Sequence, residues 1–167
     1  MNKKYLLFDW GDTLMVDFKD YSGPMAKWPE VAWINGAKEA LNKLYKDYYC
    51  VIASNSGDSD EELLLKAFER VNGHHFIHKI FASRDIGYEK PNPDFYRFIL
   101  NSLNITACET LMVGNDYLKD IKAAKIAGIK TIFLTNSSDI DSYPEADILI
   151  DSMDKLPDAV KELFTKK

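Results

Sequence analysis

Cysteine is scarce in these 167 residues: Cys50 and Cys108 stand far apart, with no Cys-x-x-Cys spacing. That excludes a disulfide framework and suits a reducing compartment. Both flank expected strands, which predicts two buried small hydrophobes. Long apolar runs are missing as well. Met1-Asn2-Lys3-Lys4 is followed by only four apolar residues before Asp9, too few for a signal peptide or a membrane span, so the expected location is cytoplasmic. There is no repeat or low-complexity tract to act as a linker, which predicts one domain over residues 1–167. The net charge is -5 and the lysines are scattered among acids. A general nucleic-acid surface needs a concentrated basic face, and none is written here.

What is present is an alternation. Tyr5-Leu6-Leu7-Phe8 is a short continuous apolar run that breaks into Asp9-Trp10-Gly11-Asp12-Thr13-Leu14, as a buried strand does when it delivers an acid at its C-terminal end. Asp9 there is either a site carboxylate or an Asp that closes the strand by accepting hydrogen bonds from the next turn. Further buried strands are predicted at 48–53, 79–83, 110–113, 130–134 and 148–150. Helices are predicted from residue 35 with Asn35 as cap, over 58–71 capped by Asp58 or Ser59, over 93–103 with Pro93 in the first turn, over 118–127 ending at Gly128, and over 154–164. Strand and helix alternate throughout, so the fold class is α/β, a doubly wound Rossmann-like parallel sheet of five to six strands. Residues 15–34 are irregular, broken by Gly23-Pro24 and Trp28-Pro29 and rich in aromatics (Phe18, Tyr21, Trp28, Trp33). They either fold back on the body or form a flap over the Asp9 edge.

Polar residues recur where the strands end: Asp9 and Asp12 after the first, Ser54 and Asn55 after the second, Asn115 and Asp116 after the fourth, with Lys90 in the loop after the third. In a parallel sheet these ends share one edge. Carboxylates gathered there repel unless a cation or proton offsets them, and hard oxygen ligands of this kind suit Mg²⁺, which keeps several waters and bridges to phosphate. An Asp oxygen can accept a phosphoryl group and divide hydrolysis into two easier steps. His74, His75 and His78 have no carboxylate or thiol nearby to complete a ligand set and read as surface histidines.

Four segments in order resemble the haloacid dehalogenase superfamily: Phe8-Asp9 with Thr13-Leu14, Ser54-Asn55-Ser56, Gly87-Tyr88-Glu89-Lys90-Pro91-Asn92-Pro93, and Val113-Gly114-Asn115-Asp116 continuing through Asp120, Ala123-Ala124 and Ala127-Gly128. The resemblance covers nearly the whole chain and implies a Mg²⁺-dependent phosphomonoester hydrolase. By that resemblance Asp9 is the nucleophile, Ser54 binds the phosphoryl group with Thr13 and Asn55 among the substrate-binding residues, and Lys90 offsets charge. Asp9, the Gly11 carbonyl, Asn115, Asp116 and Asp120 are the candidate metal ligands. The expected partner is a phosphorylated small molecule or macromolecule.

Two positions depart from the family pattern. The place two residues after the nucleophile, where most phosphatases of this family carry a second Asp as general acid and base, is Gly11, and the nearest acid, Asp12, stands with Asp9 and Lys90 as a candidate catalytic residue. Asn115 stands where the family usually has a metal-binding acid. These departures leave two alternatives: a weakened domain that binds phosphate, metal or a partner, or a metal-independent dehalogenase-like hydrolase. A receiver-like phosphoacceptor domain ranks below both because its motif order differs. The intervals after Leu14 and after Asn55 leave no room for a large cap. Capless members of the family act on bulky phosphates or have their site closed by a neighbouring subunit, so a homo-oligomer is among the expected arrangements.

Overall fold

Six apolar runs become the strands β1 (Lys4–Phe8), β2 (Tyr48–Ser54), β3 (Lys79–Ala82), β4 (Thr110–Gly114), β5 (Lys130–Leu134) and β6 (Ile148–Ile150). They form one sheet of order β3-β2-β1-β4-β5-β6, with every pairing parallel. A computed structural model describes residues 3–165. The helices α1 (Ala37–Leu44), α2 (Glu61–Arg70), α3 (Ser83–Ile86), α4 (Pro93–Leu103), α5 (Ala123–Ile126) and α6 (Leu156–Thr165) cover both faces, as a fully buried parallel sheet requires. Leu6 and Phe8 point into one core with Leu41, Phe68 and Val160. Leu7, between them, points into the other with Val51, Met112, Phe95 and Tyr96. No described helix is long and apolar enough to cross a membrane.

β1 pairs with β2 on one side and β4 on the other, and the strand order reverses beside it. The carboxyl ends at such a switch point leave a crevice between loops that diverge to opposite faces.

Local boundaries move for identifiable reasons. α1 starts after Gly36, whose φ of 80° and closeness to Asp154 admit no side chain, so Asn35 is not the cap. α2 is capped by Asp60, which accepts from the Leu63 amide at 2.9 Å, rather than by Asp58 or Ser59. The helix expected at 118–127 opens as a π-helical turn over Tyr117–Lys122 before becoming α5. Cys50 is buried and its pKa is pushed up to about 12 by that burial. Cys108 is exposed, a correction to the expectation for both cysteines: it lies in the turn before β4, not in the strand.

Residues 15–34 pack as core. Met15, Met25 and Trp28 are buried, and the Arg70 guanidinium of α2 donates to the carbonyls of Met25, Ala26, Trp28 and Pro29, the Trp28 bond being 2.6 Å. The Trp33 indole donates to the Val71 carbonyl at 3.3 Å. One side of the same segment nevertheless forms a wall of the cavity described next.

Candidate active site

A cavity of about 380 Å³ opens at the carboxyl ends of β1, β2 and β4, and Asp9, Ser54, Lys90 and Asn115 all line it. Asp9 follows β1 directly and donates its amide to the Val113 carbonyl at 3.0 Å, so its backbone is still held in the sheet. Its side chain is 15% exposed, the only open face of an otherwise enclosed carboxylate.

Behind it, Lys90 is 2% exposed and its ammonium lies 2.8 Å from Asp9 Oδ1 and 2.7 Å from Asp120 Oδ1. Burial favours the neutral amine, but the charges of Asp9 and Asp120 outweigh it and hold the Lys90 pKa above its ordinary value. Burial pushes Asp120 up to about 6, with Lys90 pulling it down and the Asp9 charge pushing it further up. The Lys90 backbone is fixed by Asn55, whose amide nitrogen donates to the Lys90 carbonyl at 2.7 Å while its oxygen accepts from the Lys90 amide at 2.8 Å. The Tyr96 hydroxyl donates to the Lys119 carbonyl at 2.9 Å, tying α4 to the turn that carries Asp120.

The geometry shows what several of these side chains hold. Asn55, expected to contact substrate, lines the cavity and clamps the main chain of Lys90. Thr13 is fully buried and donates to Asn115 Oδ1 at 3.0 Å, with Asp9 Oδ2 at 3.4 Å, so it orients the site from beneath. Asp120 was expected among the metal ligands, but its Oδ2 accepts from the Asp116 amide at 3.0 Å and its Oδ1 holds Lys90, which commits both oxygens. It can stand there only because residue 114 is Gly: a Cβ on Gly114 would lie 2.3 Å from Asp120 Oδ2. Asp116 caps the π-helical turn, accepting from the Leu118 and Lys119 amides at 3.1 and 2.9 Å, although it also lines the cavity.

Asp9, Gly11 and Asn115 stand close enough together to share a cation, and Asp116 lines the same cavity with an oxygen that accepts no hydrogen bond from a described residue. The Asn115 side-chain atom that faces the others stands 3.0 Å from Asp9 Oδ2 and 3.2 Å from the Gly11 carbonyl oxygen. Adjacent ligands of an octahedral Mg²⁺ at 2.0–2.1 Å are about 3 Å apart, so with its oxygen turned inward Asn115 completes a three-oxygen face that fits the ion. With its nitrogen turned inward it donates instead to Asp9, Gly11 and Thr13. No group of three or more His, Cys, Asp or Glu among the described residues could hold a metal. The face therefore carries one carboxylate, and water would supply the remaining ligands. Ser54 ends β2, buried at the cavity wall, and beside it the buried Ser56 hydroxyl has no partner in the structure. Both offer hydroxyls where an anionic group would enter.

Asp12 turns away. It has a φ of 57°, a left-handed backbone that an Asp tolerates better than most residues. Its Oδ1 accepts from the Asp17 amide at 3.0 Å and its Oδ2 from Lys19 at 3.3 Å, while Lys19 also donates to Asp17 Oδ2 at 2.5 Å. Asp17 and Lys19 line the same cavity and were missed in the sequence. They lie in an irregular stretch with neither periodicity nor a strand end to single them out. His78 accepts from the Cys50 amide through Nδ1 at 3.1 Å, a structural contact far from any ligand set.

With the geometry in hand, comparisons with known proteins agree on one lineage. The family model described as haloacid dehalogenase-like hydrolase matches residues 7–134. Among curated relatives, the glyceraldehyde 3-phosphate phosphatase of Methanopyrus kandleri is 34% identical over 56% of this chain and 42% of its own length. The ribulose-1,5-bisphosphate 5-phosphatase of Halopiger xanaduensis is 26% identical over 71% of this chain and 48% of its own. The chain thus spans under half the length of either relative. A solved structure of an uncharacterized protein from Listeria monocytogenes serotype 4b superposes with a TM-score of 0.83 at 28% identity, covering 96% of this chain and 98% of that one.

Proposed function

The chain belongs to the haloacid dehalogenase-like hydrolases, and from that premise we propose that it hydrolyses phosphomonoesters through an aspartyl-phosphate on Asp9, assisted by Mg²⁺. The observation that carries this reading is the state of Asp9: one oxygen is bound by a buried ammonium, the other lies in an oxygen cluster, and one narrow face opens on a cavity. A carboxylate held that way cannot rotate, and a phosphorus atom entering the cavity meets it already aligned. Phosphatases among the relatives support the reaction class.

In this mechanism an Asp9 oxygen attacks phosphorus and the ester bond to the leaving oxygen breaks. Lys90, paired with Asp9 at 2.8 Å, offsets the negative charge that gathers on the phosphoryl oxygens. Ser54 donates to the transferring group, and Thr13 and Asn115 prevent Asp9 from turning. Asp9, the Gly11 carbonyl and Asn115 would hold Mg²⁺, whose charge, when bound, neutralises phosphate against Asp9. Water then cleaves the acyl phosphate and regenerates Asp9.

The test is turnover of an aryl phosphate with and without Mg²⁺, beside Asp9→Asn. Mg²⁺-dependent turnover in the wild type that falls by at least about 10³-fold in Asp9→Asn is the expected result. Equal inactivity of the two proteins at every Mg²⁺ concentration overturns it. A metal-independent hydrolase is the second reading, favoured by the inward-nitrogen orientation of Asn115, which satisfies Asp9 and Gly11 without a cation. Asp9-dependent turnover indifferent to chelation would select it.

A further inference from the structure

Hydrolysis through Asp9 needs a second group that exchanges protons, because an alkoxide leaves poorly and water attacks poorly. Five aspartates line the cavity: Asp9, Asp12, Asp17, Asp116 and Asp120. Asp9 is the nucleophile. Both oxygens of Asp120 are bound at 2.7 and 3.0 Å in a site that is 1% exposed. Asp116 accepts both amides of its helical turn on Oδ1, and its Oδ2 lies 3.8 Å from the Lys119 ammonium. Asp12 gives one oxygen to the Asp17 amide and the other to Lys19. Asp17 and Asp116 each keep one oxygen that receives no hydrogen bond from a described residue, and both side chains are 42% exposed; of the two, Asp17 is the one that lies against Gly11.

Asp17 is also in the right place. A side chain on Gly11, two residues after the nucleophile, would start 3.3 Å from Asp17 Cβ, 3.7 Å from its Cγ and 3.9 Å from its Oδ2. The Asp17 carboxyl therefore fills the space over the Gly11 backbone, beside the turn that carries Asp9. Gly at position 11 is what lets it lie so close.

We propose that Asp17 is the general acid and base of this site, reaching it from the segment that replaces a cap. The inference rests on the aspartyl-phosphate reading. In the first half-reaction, Asp9 forms a bond to phosphorus, the bond from phosphorus to the ester oxygen breaks, and the departing oxygen takes its electron pair and a proton from the Asp17 carboxyl. In the second, water attacks phosphorus and gives its proton to the Asp17 carboxylate, the electron pair of the breaking bond returns to Asp9, and inorganic phosphate is released. One water is consumed and Asp17 ends as it began. Lys19 does not lose its hold when Asp17 is protonated, since Asp12 remains its second partner. Asp12 is then a positioning residue, fixing the Asp17 amide and steadying Lys19.

The experiment compares an aryl phosphate with a simple alkyl phosphate for the wild type, Asp17→Asn, Asp17→Glu and Asp9→Asn, each checked by thermal melting. A proton donor matters most where the leaving group is worst. Asp17→Asn is expected to lower kcat/KM for the alkyl phosphate by about 10²- to 10⁴-fold and for the aryl phosphate by less than about tenfold, with Asp17→Glu recovering part of the alkyl activity. Equal losses on both substrates, or no loss on either, while wild-type turnover still depends on Asp9, overturn the role of Asp17 and leave the phosphatase reading standing. Absence of any Asp9-dependent turnover overturns both. If Asp17→Asn melts early, the alkyl-to-aryl ratio of Asp17→Glu against the wild type decides, an unchanged ratio with no added dependence on leaving group counting against the proposal.

Discussion

Two of the three lysines that line the cavity are each held between two aspartates. Lys90 sits between Asp9 and Asp120 at 2.8 and 2.7 Å with side-chain exposures of 2, 15 and 1%, whereas Lys19 lies between Asp12 and Asp17 at 3.3 and 2.5 Å in groups that are well exposed. The atoms are the same and the surroundings are not. In the buried cluster desolvation is the leading influence, and the raised pKa of Asp120 shows that its ionised form is held there at a cost to stability. Such a cluster is better explained by the fixed charge it gives Asp9 than by any contribution to folding. In the exposed cluster water screens every charge, so proton exchange and small movements are cheap.

The comparison breaks most readily at Lys90. Replacing it with Met strands two carboxylates in the interior, and denaturant unfolding should show a loss of about 3–5 kcal/mol, with a loss under about 1 kcal/mol removing the distinction. The pH dependence sharpens it next. Asp120 has its pKa raised from an ordinary 3.8 to about 6 in the folded chain. Its contribution to stability is full below pH about 4 and is lost as pH rises through about 6, because the folded state holds the proton more tightly. Unfolding free energies measured across that window should fall with this component in the wild type and lose it in Asp120→Asn. Gly114→Ala forces Asp120 off the strand, for a smaller cost of about 1–3 kcal/mol, and lowers turnover through Lys90 while leaving the far end of the sheet unchanged by amide exchange. The smallest effect belongs to Lys19→Met, at most about 1 kcal/mol and shrinking further at high salt; a loss equal to that of Lys90→Met would make the two clusters alike.

The buried cluster could be read from the sequence because each member ends a strand or follows one. Apolar runs fix where β1 and β4 stop, the parallel sheet puts those stops on one edge, and only the partners of Asn55, Thr13 and Asp120 had to come from three dimensions. Their contacts were not legible for one reason. A strand-end polar residue has the same pattern whether it faces the ligand, the residue beneath or a neighbouring main chain. Of the exposed cluster only Asp12, near the end of β1, could be read. Asp12, Asp17 and Lys19 meet because the chain doubles back after a left-handed residue at position 12 and is latched by Arg70, 42 residues beyond Trp28. Neither a turn of that kind nor a distant latch leaves a periodic signal.

The central position of β1 carries a consequence for biosynthesis. The strand that leads into Asp9 is made early, but its second neighbour, β4, follows about 100 residues later, roughly 5–20 s at ordinary elongation rates. During that interval one edge of β1 and its apolar side chains have no partner, and Asp9 has neither Asn115 beside it nor Asp120 behind its lysine. A nascent chain that stalls before residue 110 would therefore present an open β edge to chaperones rather than a partly working site, and hydrolysis would begin only once the fourth strand has closed the sheet.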